Sequence, residues 1–237
     1  KKLAVVLDAI NHESDEFTAE TKKIGLNKKQ TLQVQQVLQL GDLTLKHAPI
    51  VKELHTVVVK DGDSTLIGLA KIHLGQWLEL AFEHGAPQQS FMSPEQYAEY
   101  LEAMVESKVP TAVLLAKLKD ETIKFKSRVF SDVQVILEKY PKFDIATADI
   151  DEFVTHTKIE RQTASALAIL QHLKHLDARW DEVEVLVNHG LHSVAEITNY
   201  GKEQLKRIFD KQIPEDRLDA IHNKATALKA VSIGLMG

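Results

Sequence analysis

Two pairs of histidines are the residues whose spacing most readily suggests chemistry. His172 and His175 are three residues apart, and so are His189 and His192. Histidines at this spacing share one face of a helix, and a zinc site needs three or four such ligands. No third ligand stands at a fixed spacing, and the second pair straddles Gly190. We therefore predict no metal site and interpret these histidines as surface or partly packed residues.

Clustered carboxylates are the second chemical possibility. Asp149, Asp151 and Glu152 could act as acids or bases, but at the start of a helix they would complement its positive end, and we prefer that interpretation. The stretch Asp61–Ser64 resembles the start of a calcium loop, yet its twelfth position is Ile72, where a bidentate glutamate is needed. No nucleophile elbow, P-loop or dinucleotide-binding glycine motif occurs. We therefore expect no catalytic residues, no enzyme activity and no cofactor.

The stretch His189–Ser193 could form a helix-hairpin-helix, a module whose backbone amides grip DNA phosphates at a glycine-rich turn. That module has the pattern Gly-apolar-Gly, whereas His192 follows Gly190 and Leu191 here. Lysines are few at this turn, and the formal net charge of the chain is −5. Because phosphate contacts supply most of the affinity for nucleic acid, DNA is the least favoured partner.

The composition is that of an ordinary globular chain of 237 residues, 44% of them hydrophobic and 27% charged. The absence of cysteine excludes a disulfide framework and a thiolate metal site. No run approaches the roughly 18 apolar residues of a membrane span, so we expect no direct membrane insertion. The opening KKLAVVLDAI is interrupted by Asp8, so we do not interpret it as a signal peptide. The first residue is Lys and not Met, which favours a fragment or a processed chain.

Helical periodicity dominates the sequence and predicts an all-α protein. The segment Trp180–Val187, for example, places a tryptophan, a leucine and two valines on one helical stripe. Ser93 is predicted to cap a helix in which Pro94 is the first residue. The same periodicity predicts helices over Thr31–Leu40, Ile50–Val59, Pro94–Val105, Pro110–Phe125, Phe130–Tyr140 and Ala164–Leu176, and a last helix opening at Pro214.

One small unit occurs twice in the chain. Val59–Ala81 and Val187–Phe209 align without a gap at an offset of 128 residues. Each copy reads as a helix, a glycine turn at Gly62 or Gly190, a short helix, a second turn and another helix. A glycine after a helix end readily takes a positive φ. We therefore predict a multi-helix bundle with two copies of a helix–turn–short helix–turn–helix corner.

The same pattern assigns roles to individual residues of each corner. Ser193 is predicted to cap the short helix, with Glu196 completing a capping box, and Thr65 is its counterpart in the first copy. Trp77 and the second tryptophan, Trp180, could form a sugar-stacking platform, but each lies on an apolar stripe and is interpreted as a core anchor. The apolar residues predicted to bury the corners are Leu66, Leu69 and Trp77 in the first copy and Val194, Ile197 and Leu205 in the second.

The segment Tyr140–Val154 marks the predicted division of the chain. A proline ends one helix there, and Thr147 or Asp149 is expected to cap the next. The apolar residues expected to fill this junction are Phe143, Ile145, Ile150 and Phe153. The sequence therefore predicts one helical subdomain over residues 1–140 and another over residues 141–237, each with one corner.

Five stretches carry a resemblance to a known family: Leu40–Leu54, Ser64–Leu80, Val109–Leu118, Ile136–Phe153 (ILEKYPKFDIATADIDEF) and Leu167–Leu205. In this order they resemble segments of the A component of Tc insecticidal toxin complexes. The resemblance covers about residues 35–235. Tyr140 stands where the family commonly has asparagine, and His175-Leu176-Asp177 stands where it usually has Arg-Leu-Thr.

This resemblance implies a piece of the α-helical shell of a pentameric pore-forming toxin subunit, which carries a toxic enzyme into a host cell. The fragment would be scaffold and not pore, because it contains no long apolar hairpin that could form the channel, and it would have no catalytic residues. Its partners would be copies of itself, other toxin components or a host surface receptor, and the protein would be secreted. The alternatives are a free-standing helical adaptor that binds protein in grooves between its helices and, less favoured, a helix-hairpin-helix-like DNA-binding protein.

Overall fold

The computed structural model describes residues 25–61 and 65–234, and within these ranges the chain forms thirteen α-helices and no strand. The predicted all-α fold class is confirmed. Short 3-10 turns lie at Gln88–Ser90 and Arg128–Phe130. The helices are α1 (Lys28–Leu43), α2 (Ala48–Asp61), α3 (Thr65–Leu69), α4 (Leu74–His84), α5 (Pro94–Lys108), α6 (Pro110–Lys119), α7 (Val133–Lys139), α8 (Ile150–Thr157), α9 (Arg161–Lys174), α10 (Trp180–Asn188), α11 (Val194–Asn199), α12 (Lys202–Ile208) and α13 (Glu215–Gly234).

Packing divides the chain into two units, Lys1–Val105 and Glu106–Gly237. Helices α6 and α7 pack on each other, and α7 also packs on α9 in the second unit. Residues 106–140 therefore pack with residues 141–237, whereas the sequence grouped them with the first subdomain. The predicted boundary at residue 140 lies between α7 and α8, inside the second unit.

The first unit is organised around α2, which packs against α1, α3 and α4. At the start of α5, Ser93 and Gln96 form a reciprocal capping box, so the predicted cap is confirmed. The buried Tyr97 hydroxyl donates to the backbone carbonyl of Thr44 at 2.7 Å and ties α5 to the turn after α1. The apolar core of this unit includes Leu40, Ile50, Leu54, Leu69, Trp77, Ala81, Tyr97 and Leu101.

The second unit is organised around α9, which packs against α7, α8 and α10. Its buried residues Ala166, Leu167, Leu170 and Leu173 recur at helical spacing. Helix α13 packs on both α11 and α12. Further core residues of this unit are Leu114, Val133, Leu137, Ile145, Leu176, Trp180, Val183, Leu186, Phe209, Leu218 and Ile221.

The three helices predicted for each corner are present, one set in each unit, but the glycine turn of the first copy lies outside the described residues. Helices α2, α3 and α4 form the first copy, and α10, α11 and α12 form the second. Leu69 and its counterpart Ile197 are both fully buried. The third helix of each copy begins at equivalent positions, Leu74 and Lys202. Gly62 and Ser64 of the first copy lie outside the described residues, and Thr65 is the first residue of α3.

The turn of the second corner is a Schellman motif. Gly190 has φ of +81°, and its amide donates to the Val187 carbonyl at 2.9 Å. The next amide, that of Leu191, donates to the Leu186 carbonyl at 2.9 Å. This pattern is how a helix end satisfies its last carbonyls when the following residue is left-handed. The prediction for Gly190 is therefore confirmed.

The cap of α11 departs in one bond from the predicted capping box. Ser193 Oγ accepts from the Glu196 amide at 3.2 Å, as predicted. The Glu196 carboxylate, however, accepts from the amide of His192 at 2.6 Å, one residue earlier than expected. The consequence is that three consecutive amides, from Gly190 to His192, are all engaged within this turn.

Replacing Gly190 with alanine is expected to lower the free energy of unfolding by about 1–2 kcal/mol, because an alanine resists positive φ. No atom lies within 4 Å of the position an added Cβ would take, so backbone conformation alone sets the cost. Urea denaturation followed by circular dichroism measures the change. The matched control is Gly41→Ala inside α1, also without a steric clash, which should gain about 0.5–1 kcal/mol. A neutral Gly190→Ala would contradict the argument.

The helix predicted over Pro110–Phe125 is too long, because α6 ends at Lys119. Glu121 takes φ of +54°, and the amide of Thr122 bonds back to the Lys117 carbonyl at 3.0 Å. The helix thus ends in a Schellman-type turn with glutamate at the left-handed position. Since no glycine marks this end, the sequence offered no stop signal. The helix predicted from Phe130 likewise begins later, at Val133.

Candidate protein-binding groove

An open groove of about 640 Å³ lies between the end of α7 and the start of α8 in the second unit. We call it the aromatic groove. Its apolar surface comes from three rings: the Phe143 and Phe153 centroids lie 4.4 Å apart, and Tyr140 meets Phe153 edge-on at 5.2 Å. Its full lining consists of residues Lys139, Tyr140, Pro141, Lys142, Phe143, Asp144, Thr147, Ala148, Asp149, Glu152, Phe153 and His156.

A turn at Asp144 forms one wall of the groove. The Asp144 carboxylate accepts from the Ala146 amide at 3.1 Å and from the Thr147 hydroxyl at 2.9 Å. The hydroxyl of Thr111, on α6, accepts from the Ile145 amide at 2.8 Å and donates to Asp144 at 3.4 Å. Asp144 is therefore fully engaged in shaping the turn, as is common for aspartate.

Helix α9 holds the same turn from the other side. Gln171 Nε2 donates to the carbonyls of Ile145 and Ala148 at 2.9 and 2.8 Å. His175 Nε2 lies 2.9 Å from the Ala146 carbonyl, and because a carbonyl can only accept, that nitrogen carries a hydrogen. The sequence does not predict this role for either residue. Each bond joins residues 23 to 29 positions apart, and no sequence pattern indicates contacts at that separation.

The three clustered carboxylates lie where α8 begins, as predicted. Asp149 is the N-cap, and its Oδ1 accepts from the Glu152 amide at 2.9 Å. Asp151 and Glu152 are exposed in the first turn. An acidic first turn is stabilised by the helix dipole. Of the two caps left open by the sequence, Asp149 is the one used, while Thr147 bonds to Asp144.

Three of the four histidines singled out by spacing place a ring nitrogen near a backbone carbonyl. His189 Nδ1 lies 2.8 Å from the Val185 carbonyl, and His192 Nε2 lies 3.3 Å from that of Val187; the third is His175. His172 is exposed on α9. Among residues 25–61 and 65–234, no group of three or more His, Cys, Asp or Glu side chains could hold a metal ion. The candidate calcium stretch Asp61–Ser64 falls largely outside the described residues.

Both tryptophans are core residues, which confirms their interpretation as anchors. Trp77 and Trp180 are each 0% exposed. Trp180 Nε1 donates to the Pro110 carbonyl at 2.9 Å. Among the residues that the structure describes, none is a hydrogen-bond partner of Trp77 Nε1. A stacking platform for sugars requires an accessible ring face, which neither residue offers.

Two buried ion pairs in the second unit were not anticipated. Glu106 is 2% exposed and accepts from the Lys174 ammonium and, at 2.8 Å, from the Trp180 amide. Burial raises the pKa of Glu106, and the nearby Lys174 charge opposes that rise. Glu182, also buried, forms a bidentate pair with Arg217 at 2.7 and 2.9 Å, which raises the pKa of the guanidinium. Both pairs lie away from the aromatic groove lining.

No protein-family model, curated protein or solved structure matches this chain. None of the described helices combines the length and the apolar composition that a bilayer crossing requires.

Proposed function

We propose that this chain is a non-catalytic helical scaffold whose aromatic groove receives a segment of another protein. One observation carries the proposal: the two aspartates at the groove are engaged in building it, while the rings of Tyr140 and Phe153 are partly exposed in it. Asp149 caps a helix and Asp144 closes a turn. Aromatic side chains held on a rigid frame are the groups that most often anchor protein partners. Such a groove provides a contact surface for a peptide, and its two aspartates have structural roles.

The particular scaffold that we propose is part of the shell of a Tc-toxin A component. The stretch Ile136–Phe153, which resembles that family, supplies most of the aromatic groove. The stretch Leu167–Leu205, which also resembles it, supplies α10, α11 and most of α9. The partners would then be further copies of the shell, other toxin components or a host surface receptor, and the assembled protein would be secreted.

The two alternatives fare differently. A free-standing adaptor would use the same groove in the same way and differs only in the parent protein. A DNA-binding module would need free amides at the Gly190 turn, but the amides of Gly190, Leu191 and His192 all have partners within the turn. The carboxylate of Glu196 also sits at that turn, where it would repel a phosphate. The geometry therefore favours protein over nucleic acid.

Selection from a phage-displayed random peptide library tests the groove. We expect the immobilised chain to enrich a consensus peptide whose binding is lost in Tyr140→Ala, because Tyr140 forms one face of the groove. The matched control is Tyr200→Ala, a half-buried tyrosine of the same unit that does not line the groove. It should retain binding. If the selected peptides bind Tyr140→Ala and the unmodified chain equally tightly, the aromatic groove is not their binding site and the proposal is wrong.

The toxin proposal has a separate test in the parent gene. A shell segment should sit within an open reading frame several times longer than these 237 residues. Sequencing the DNA that flanks the coding region settles this point. A reading frame limited to a few additional residues would exclude the shell and leave the adaptor.

A further inference from the structure

A second groove, of about 500 Å³, lies at the end of α6 and runs toward the start of α7. We call it the cationic groove. Its apolar floor is formed by Ile123 and Phe130, which are buried, and by the half-buried Phe125. The rings of Phe125 and Phe130 lie 4.8 Å apart. Its cationic rim is formed by Lys124, Lys126 and Arg128, all three exposed.

The charge of this segment is opposite to that of the whole chain. Residues 117–131 contain five lysine or arginine side chains and two acidic ones, while the formal net charge of the chain is −5. Lys119 pairs with Glu138 at 3.2 Å, and Lys124 pairs with Glu121 at 2.6 Å. Within the part of the chain that the structure describes, Lys126 and Arg128 have no ion pair. Two cations are thus held beside apolar surface without a carboxylate partner.

The backbone of the cationic groove is fixed by α10. The amides of Lys124 and Lys126 donate to Glu184 and Asn188, both at 2.8 Å. Asn188 also donates to the Lys124 carbonyl at 3.0 Å. A loop already held in one conformation loses little entropy when a ligand binds. Residues 120–127 are therefore prepared to present their side chains, although they lie between α6 and the 3-10 turn.

The chemistry of the groove selects among possible occupants. An arginine fork and a lysine ammonium bind carboxylates, and the apolar floor calls for an aromatic or aliphatic residue beside them. Nucleic acid would need a longer basic face that follows several phosphates. A lone phosphate would use backbone amides, but those of Lys124 and Lys126 are already engaged.

We propose that the cationic groove binds an acidic peptide segment of a protein partner, with an apolar side chain on the half-buried Phe125 and carboxylates on Lys126 and Arg128. This is a second binding surface in addition to the aromatic groove. It does not depend on that groove, because the two have no lining residue in common.

Fluorescence anisotropy tests the proposal with the labelled peptide Glu-Asp-Phe-Asp-Glu and its uncharged counterpart Gln-Asn-Phe-Asn-Gln. We expect the acidic peptide to bind at least about tenfold more tightly than the uncharged one. The variant K126E/R128E should weaken binding of the acidic peptide by at least about tenfold. Replacing the peptide phenylalanine with serine should also weaken binding, because the apolar floor then loses its contact.

The matched control is K202E/R207E, which makes the same charge change at two exposed positions of α12. It should bind the acidic peptide within about twofold of the unmodified chain. Equal losses in both double variants would mean non-specific attraction and would overturn the proposal. So would equal binding of the two peptides, or stronger binding of a short DNA duplex. Circular dichroism melting verifies that the variants are folded.

The variant Tyr140→Ala separates this proposal from the proposed function. Acidic-peptide binding that survives Tyr140→Ala and fails in K126E/R128E places the peptide in the cationic groove. If the acidic peptide binds K126E/R128E but not Tyr140→Ala, it binds in the aromatic groove. That result would contradict the proposal for the cationic groove and would be consistent with the proposed function.

Discussion

Replacing Lys174 with methionine is expected to lower the free energy of unfolding by about 3–5 kcal/mol near neutral pH. The Lys174 ammonium donates to Glu106 and, at 2.9 Å, to the Ala178 carbonyl, and it lies 4.9 Å from the centre of the Trp180 ring. Methionine fills the space of the side chain but leaves the buried Glu106 carboxylate without its ion-pair partner. Substitutions that leave a buried charge unpaired are among the most destabilising single mutations in a protein core.

The destabilisation should depend on pH in a defined direction. Burial already raises the pKa of Glu106, and Lys174 opposes the rise, so its removal raises that pKa further. A carboxyl whose folded-state pKa exceeds its unfolded-state value of about 4.3 favours folding only while it is protonated. The stability of Lys174→Met should therefore fall as the pH increases above about 4.3 through the folded-state pKa. The cost relative to the unmodified chain should be smaller at about pH 5 than at about pH 8.

Urea denaturation at both pH values, followed by far-UV circular dichroism, measures this effect. The double variant Glu106→Gln with Lys174→Met should recover part of the stability at the higher pH, because no charge is then buried. Lys119→Met is the control, since its pair with Glu138 is exposed and should contribute at most about 1 kcal/mol. A cost for Lys174→Met as small as that of Lys119→Met would contradict the buried-pair argument.

The parts of the fold that the sequence predicts are those with short-range causes. The cap at Ser93 and the left-handed glycine at Gly190 each depend on a few neighbouring residues, and both are confirmed. The second corner follows from apolar residues such as Ile197 that must face one side of a short helix. Helix α6 shows the limit of such signals, because its end depends on Glu121 taking a conformation that sequence assigns to glycine.

The grooves and the buried pairs depend on contacts that sequence spacing does not encode. Glu106 and Lys174 are 68 positions apart, and Glu182 and Arg217 are 35 apart. In the sequence, charged residues of this kind cannot be distinguished from exposed surface residues, because only the tertiary packing brings the two partners together. The sequence predicts only part of the aromatic groove. It places Phe143 and Phe153 at a junction, but the opening between them also requires the turn to which Gln171, on α9, donates its hydrogen bonds.

Replacing Trp77 with alanine is expected to lower the free energy of unfolding by about 3–5 kcal/mol. Trp77 is the largest side chain that is fully buried in the first unit, and its removal leaves a cavity at the third helix of the first corner. Leu205, its counterpart in the second corner, is 2% exposed. Leu205→Ala should cost about 2–5 kcal/mol for the same reason. Near-neutral effects in urea denaturation would mean that the corners are not packed cores.

Phenylalanine substitutions separate the contribution of the two indole N–H groups. Trp180 Nε1 donates to the Pro110 carbonyl, whereas Trp77 Nε1 is buried and has no partner within residues 25–61 and 65–234. Trp77→Phe removes an unsatisfied donor along with part of the ring, while Trp180→Phe breaks a buried hydrogen bond that contributes about 1 kcal/mol. Trp180→Phe should therefore be the more destabilising of the two. Each variant keeps one tryptophan as a fluorescence reporter, Trp180 for the second unit or Trp77 for the first. Equal costs in the two variants would show that the bond to Pro110 adds nothing to stability.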